Sequence, residues 1–133
     1  MRLDDAIKVV RDLRRYRHRN CRVPHSRGAL LRNTLIPNST SAEFRLAVDA
    51  QKNPFGKVVW VEITALRSEQ RCLSFRRLLI QLRRYPLKKL PIVVGLPGGV
   101  YYLWDGNHRA TAAALLGKRR VKCLCVGGIK AQL

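Results

Sequence analysis

Acidic residues are what this chain most conspicuously lacks. Its 133 residues hold 8 Asp and Glu against 27 Lys and Arg, a formal net charge of +19. So few carboxylates leave no dense acidic cluster of the kind that two-metal nucleases use. Long apolar runs are missing too. Its apolar runs, such as Val58 to Val61 and Ala112 to Leu116, fall far short of the roughly 20 residues a membrane-crossing helix needs, so no membrane span is expected. The opening Met1-Arg-Leu-Asp-Asp5 carries acids and runs into an amphipathic stretch, which does not read as a secretory signal and points to a cytoplasmic location. The four cysteines, Cys21, Cys72, Cys123 and Cys125, lack the paired spacing of a zinc site and read as reduced thiols. The nearest approach to a metal cluster is His18, Cys21 and His25, with no second half-site after it.

What the chain does have is a hydrophobic share of 47%, enough for one packed domain. Positive charge is spread along its whole length: 12 basic and 5 acidic residues precede Lys57, and 15 basic and 3 acidic follow from it. The densest stretch carries Arg11, Arg14, Arg15, Arg17, Arg19, Arg22, Arg27 and Arg32 against the single acid Asp12. A compact surface of this charge repels itself unless a polyanion neutralises it, so nucleic acid is the expected partner and these arginines are candidate phosphate contacts. Tyr16, among them, is a candidate for base stacking. An anionic membrane surface and an acidic protein are the competing partners.

Leu3, Ala6, Ile7, Val10 and Leu13 fall on one helical face, predicting a helix over about 3–17. Asn20 to Asn38, with Pro24, Gly28 and Pro37, reads as a basic loop with at most a short turn at Ala29 to Leu31. Thr40 and Glu43 have capping-box spacing ahead of a short helix ending near Ala50. Val58 to Ile63 has strand composition. Ser74 caps a helix bearing Phe75, Leu78, Leu79 and Leu82. Two apolar runs, Leu90 to Gly95 and Val100 to Trp104, flank the turn Leu96-Pro-Gly-Gly99. A small-residue helix from His108 to Leu116 stops at Gly117, and Val121 to Val126 is a last strand.

The segment richest in chemistry is Tyr101-Tyr-Leu-Trp-Asp-Gly-Asn-His-Arg109, an apolar strand running into the start of that helix. Gly106 permits a tight turn, the first helical N–H groups point outward, and the helix dipole favours negative charge. His108 and Arg109 add side-chain donors where a phosphate would sit. The plain alternative is that Asp105 caps the helix while His108 and Arg109 are ordinary surface residues.

This strand, Asp-Gly-Asn-His-Arg and alanine-rich helix ending in Leu-Gly, together with Val59-Trp-Val-Glu-Ile-Thr-Ala-Leu66, Glu69-Gln70 and Leu90-Pro-Ile-Val-Val94, closely resembles the ParB/sulfiredoxin-like fold, often labelled a ParB-like nuclease domain. The resemblance covers about Lys57 to Gly127. It implies an α+β domain, a small mixed sheet with packed helices over residues 57–133; residues 1–56 lie outside the resemblance and, from their periodicity and charge, read as a basic helical segment and loop. It also implies that Asp105, Gly106, Asn107, His108 and Arg109 form a phosphate or nucleotide site. Sulfiredoxins carry a reactive cysteine directly before His-Arg. Asn107 occupies that position here, which argues against sulfinic-acid repair. Partition proteins of the fold bind CTP and DNA and carry a downstream helix-turn-helix domain, which is not expected in a sequence ending at Leu133. Free serine kinases with an Asp-Gly-His-His-Arg motif, and plasmid- or phage-borne proteins reported as nucleases, lie nearer.

Phosphodiester cleavage needs a base and positive charge on the developing phosphorane. Of the three acids in this region, Glu62, Glu69 and Asp105, Glu69 is the preferred base or metal ligand and Asp105 positions the turn. His108 is a second acid–base candidate, its unperturbed pKa being near neutrality. The leading expectation is a nuclease on nucleic acid, DNA before RNA, with Mg2+ or a nucleotide (ATP, ADP or CTP) as the cofactors to consider. The alternatives are a non-catalytic DNA- or nucleotide-binding regulator and an amino-acid kinase-like phosphotransferase. Basic toxins that enter cells and cut nucleic acid share this charge and size, which adds an acidic inhibitor protein to the expected partners.

Overall fold

The computed structural model describes residues 30–32, 35–51, 56–69, 72–85 and 89–127. The helix expected over 3–17, its arginines and the His18, Cys21, His25 cluster lie outside them. The order is β1 (Leu30–Arg32), α1 (Ser41–Gln51), β2 (Lys57–Glu62), a 3-10 turn (Ile63–Ala65), β3 (Leu66–Arg67), β4 (Cys72–Ser74), α2 (Phe75–Arg83), β5 (Ile92–Gly95), β6 (Tyr101–Asp105), α3 (Asn107–Leu115) and β7 (Arg120–Cys125). This is a mixed α+β domain. Five strands form one sheet in the order β2-β7-β5-β6-β3, and β1 and β4 form a separate antiparallel pair. No described helix is long and apolar enough to cross a membrane.

Local chemistry accounts for the helix ends. Thr40 and Glu43 form the expected capping box, the Thr40 N–H donating to Glu43 Oε1 at 2.8 Å and the Glu43 N–H to Thr40 Oγ1 at 3.1 Å. Ser74 Oγ accepts from the Arg77 N–H at 3.3 Å and starts α2. Gly117 ends α3 with φ 77°. Gly98 and Gly99, at φ 84° and 75°, turn β5 back on β6 as an antiparallel hairpin.

Helices pack on both faces of the sheet, leaving the outer face of β2 exposed. One face carries Val61, Val93, Leu103, Val121, Cys123 and Cys125, which pack with Ala110 and Ala113 of α3 and with Ile36. Alanines let α3 lie close to the strands. On the other face Val94, Leu96 and Tyr102 receive Ala47 of α1. Leu78 and Leu82 of α2 meet Ala112, Leu115 and Leu116. Residues upstream of the boundary expected at 57 therefore contribute to the same core through Ile36 and Ala47. Leu30 to Arg32 is a strand where at most a short turn was expected, because it pairs with Ser74, Leu73 and Cys72, about 40 residues away in the chain. Pairing over such a separation leaves no local periodicity to read.

Cys123 and Cys125 are fully buried on the core side of β7. Burial, then the neighbouring Cys125, pushes the Cys123 thiol up to about 12. It is therefore a packing residue rather than a nucleophile.

Candidate functional site: the start of helix α3

Strand β6 ends at Asp105, the chain turns at Gly106, and α3 begins at Asn107. Gly106 sits at φ 90°, in the left-handed region that only glycine adopts readily. Space adds a second requirement. A Cβ at Gly106 would lie 2.8 Å from the Cα of Pro91, on the segment leading into β5. The turn is thus pressed against the neighbouring strand entry, and Arg109 reaches the Leu90 carbonyl with its Nη1 at 3.5 Å.

Unlike α1 and α2, this helix has no side-chain cap, since Gly106 supplies none. Asp105 Oδ1 takes the Gly106 N–H at 2.8 Å, and the Ala110 N–H turns back to the Gly106 carbonyl at 2.9 Å. Between them, the N–H groups of Asn107, His108 and Arg109 are the helix's open donors among the described residues. They face a cleft of about 320 Å³ lined by Arg77, Ile80 and Gln81 of α2 and by Asp105 to Arg109. Two guanidinium groups, three open N–H groups and the positive end of a helix dipole converge there. One carboxylate, Asp105, opposes them. That combination binds anions.

His108 is built into the wall of this cleft. Its Nε2 accepts the backbone N–H of Ser74 at 2.9 Å, so the proton of the neutral ring is on Nδ1. Burial first, and the nearby Arg77 charge second, lower its pKa from 6.5 to about 4. The near-neutral titration expected from its free pKa is therefore not what the fold gives it. At neutral pH His108 is an uncharged ring whose free function is a donor at Nδ1. Asn107 is fixed in turn by the hydroxyl of the fully buried Ser68, which donates to its Oδ1.

Glu69 lies elsewhere than expected. Its carboxylate accepts the Tyr102 hydroxyl at 2.5 Å and lines a neighbouring hollow with Ser39, Thr40, Ser41, Phe44, Arg45 and Ser68. Successive side chains of an extended segment point to opposite sides. With Ser68 turned toward Asn107, Glu69 turns away. Burial, then the bond to and charge of Glu69, raise the Tyr102 pKa and keep its hydroxyl protonated.

The structure thus brings Asp105, Gly106, Asn107, His108 and Arg109 to one cleft and leaves Glu69 outside it. It adds Arg77, Ser68 and Ser74, which the sequence reading did not assign to the site. Arg77 reads in sequence as one of four arginines on the outer faces of α2, and only the packing of α2 on α3 turns it toward the cleft. Among the described residues no three His, Cys, Asp or Glu side chains gather as a metal site.

Comparison of the chain with protein-family models, with curated proteins and with solved structures finds no match.

Proposed function

We propose that this protein is a nucleic-acid-binding domain that holds a backbone or terminal phosphate at the start of α3. The observation that carries this reading is the uncapped helix start at Gly106, with Arg77 and Arg109 beside it. A charge of +19 supplies the long-range attraction for a polyanion. In this reading the phosphate oxygens accept from the N–H groups of Asn107, His108 and Arg109, and the two arginines neutralise its charge. Asn107, steadied by Ser68, orients the first turn.

Phosphodiester cleavage is the second reading, and Asp105 favours it. Among the described residues it is the only carboxylate lining the cleft, and one of its oxygens is engaged by the Gly106 N–H. As base it would take a proton from a water attacking phosphorus while the arginines stabilise the phosphorane, whose P–O bond opposite the water then breaks, the leaving oxygen taking a proton from solvent. Glu69, on the neighbouring hollow, and His108, with Nε2 occupied and a low pKa, suit that role less well. A free nucleotide would present the same phosphate chemistry to the same donors.

The test is incubation of the protein with plasmid DNA and with total RNA, with and without Mg2+, beside Asp105→Asn, Glu69→Ala, His108→Ala and Arg109→Ala. Binding without cleavage, weakened in Arg109→Ala, is the result expected. Cleavage lost in Asp105→Asn alone among the acids would make the second reading the correct one. Undiminished binding in Arg109→Ala would remove the cleft from the account.

A further inference from the structure

Across the sheet from α3's cleft lies an exposed face that the phosphate site does not use. Strand β2 is the edge of the five-stranded sheet and pairs on one side with β7. Its residues alternate, so that Val61 is buried while Val58, Trp60 and Glu62 face outward. Trp60 is 63% exposed, the most exposed of the large hydrophobic side chains among the described residues. Leaving an indole in water forgoes one of the largest burial gains available to any side chain, and tryptophan is enriched at interfaces, where a partner covers the ring.

The surroundings of Trp60 are cationic. Lys122 stands opposite it in the β2–β7 register, and Arg120 stands opposite Glu62. Trp60 also shares a surface hollow with Gly117, Lys118, Arg119 and Arg120. The Lys118 ammonium lies 5.7 Å from the centre of the Tyr85 ring, which leaves Arg119, Arg120 and Lys122 as the open cations. Among the described residues no carboxylate forms an ion pair with these three, Glu62 included.

A flat aromatic face ringed by cations that no described carboxylate pairs matches one ligand chemistry: a base whose π-face is free, attached to phosphates. Bases in a duplex already stack on both sides, so a surface tryptophan can take only unpaired ones. We propose that Trp60 is a stacking platform for single-stranded nucleic acid, with Arg119, Arg120 and Lys122 holding the flanking phosphates. The proposal shares its partner with the function proposed above but not its site. A second copy of this chain is the competing occupant of an edge strand. Like charge at Arg119, Arg120 and Lys122 opposes that pairing.

The experiment uses the full chain and a fluorescein-labelled oligothymidylate of about 15 nucleotides, within the site sizes that single-strand binders cover, read by anisotropy beside a duplex of the same length. Trp60→Ala should weaken the single strand about ten-fold and leave the duplex unchanged, while Trp60→Phe recovers part of the loss. Replacing Arg120 or Lys122 by Ser should lower the salt dependence of single-strand binding by about one phosphate each. In Trp104→Phe, Trp60 becomes the single tryptophan of the chain. Its fluorescence should then fall on addition of the unlabelled strand, and should still fall when Arg109→Ala is added. Persistence of this quenching in a protein with no phosphate bound at α3 separates the two proposals. Equal losses for single strand and duplex, unchanged affinity in Trp60→Ala, or a dimer in sedimentation that Trp60→Ala dissolves would each overturn the assignment.

Discussion

Gly106 answers to two constraints at once, a φ of 90° and a Pro91 backbone atom only 2.8 Å from where a Cβ would stand. Gly106→Ala is therefore expected to cost about 3 kcal/mol of folding stability, combining left-handed strain with displacement of the β5 entry. Urea unfolding of the two proteins measures it, and a loss within about 0.5 kcal/mol would mean that the turn has slack the geometry does not show. His108 makes a different prediction. Its folded pKa of about 4 lies below the 6.5 of the free side chain, so the unfolded chain binds the extra proton. The stability it contributes is present in full above about pH 6.5 and is lost as pH falls toward 4, by up to about 3 kcal/mol. Unfolding curves for the wild type and His108→Gln across that range should converge as the pH drops. Parallel curves would mean that His108 titrates as it does in the free chain. Protonation would also remove the acceptor that Nε2 offers to Ser74, so the cleft wall should loosen in the same window.

At the scale of elements, two of the described helices start on side-chain caps and one does not. Thr40 and Glu43 close α1 with reciprocal bonds, and removing one partner with Thr40→Ala should cost about 1 kcal/mol in thermal or urea unfolding. The Glu43 carboxylate also lies 3.5 Å from Arg67 Nε, so Glu43→Ala should cost slightly more than the cap alone. An effect below a few tenths of a kcal/mol in both would remove capping as the reason α1 begins where it does. Most of these elements were legible in sequence because their determinants are local. The cap residues Thr40, Glu43 and Ser74, the Pro-Gly-Gly turn at 97–99 and the terminating Gly117 each act within one turn of chain. What was not legible depends on distant partners. Strand β1 exists through its register with β4, and β3 is two residues long and held by Tyr101 and Tyr102. Neither has room for a period. The candidate site divides the same way. Asp105 to Arg109 are contiguous and were found as a motif, whereas Arg77 and Ser68 reach it only through packing, and Glu69 is carried out of it by the inward turn of its neighbour.

For the whole molecule the governing quantity is charge. Eight acids cannot offset 27 basic side chains, and the two clusters that the fold builds among the described residues, at α3 and around Trp60, each contain a single acid, Asp105 and Glu62 respectively. Affinity for a polyanion should therefore fall steeply with salt. Replacing Arg14, Arg15, Arg17 and Arg19 together by Ser should flatten that dependence for every sequence tested, while leaving unfolding cooperative. A salt slope that does not move would assign the footprint to Arg77, Arg109, Arg119, Arg120 and Lys122 instead.

The central claim is that a phosphate sits on the first turn of α3, and amide chemical shifts report on that turn directly. Titration of isotopically labelled protein with inorganic phosphate and then with a 5′-phosphorylated dinucleotide should move the amide signals of Asn107, His108 and Arg109 together, saturably, and more strongly for the dinucleotide. The movement should vanish in the Arg77→Ala, Arg109→Ala double variant while the remaining spectrum keeps its dispersion. Signals at 107–109 that stay still while nucleic acid binds elsewhere on the surface would contradict the account.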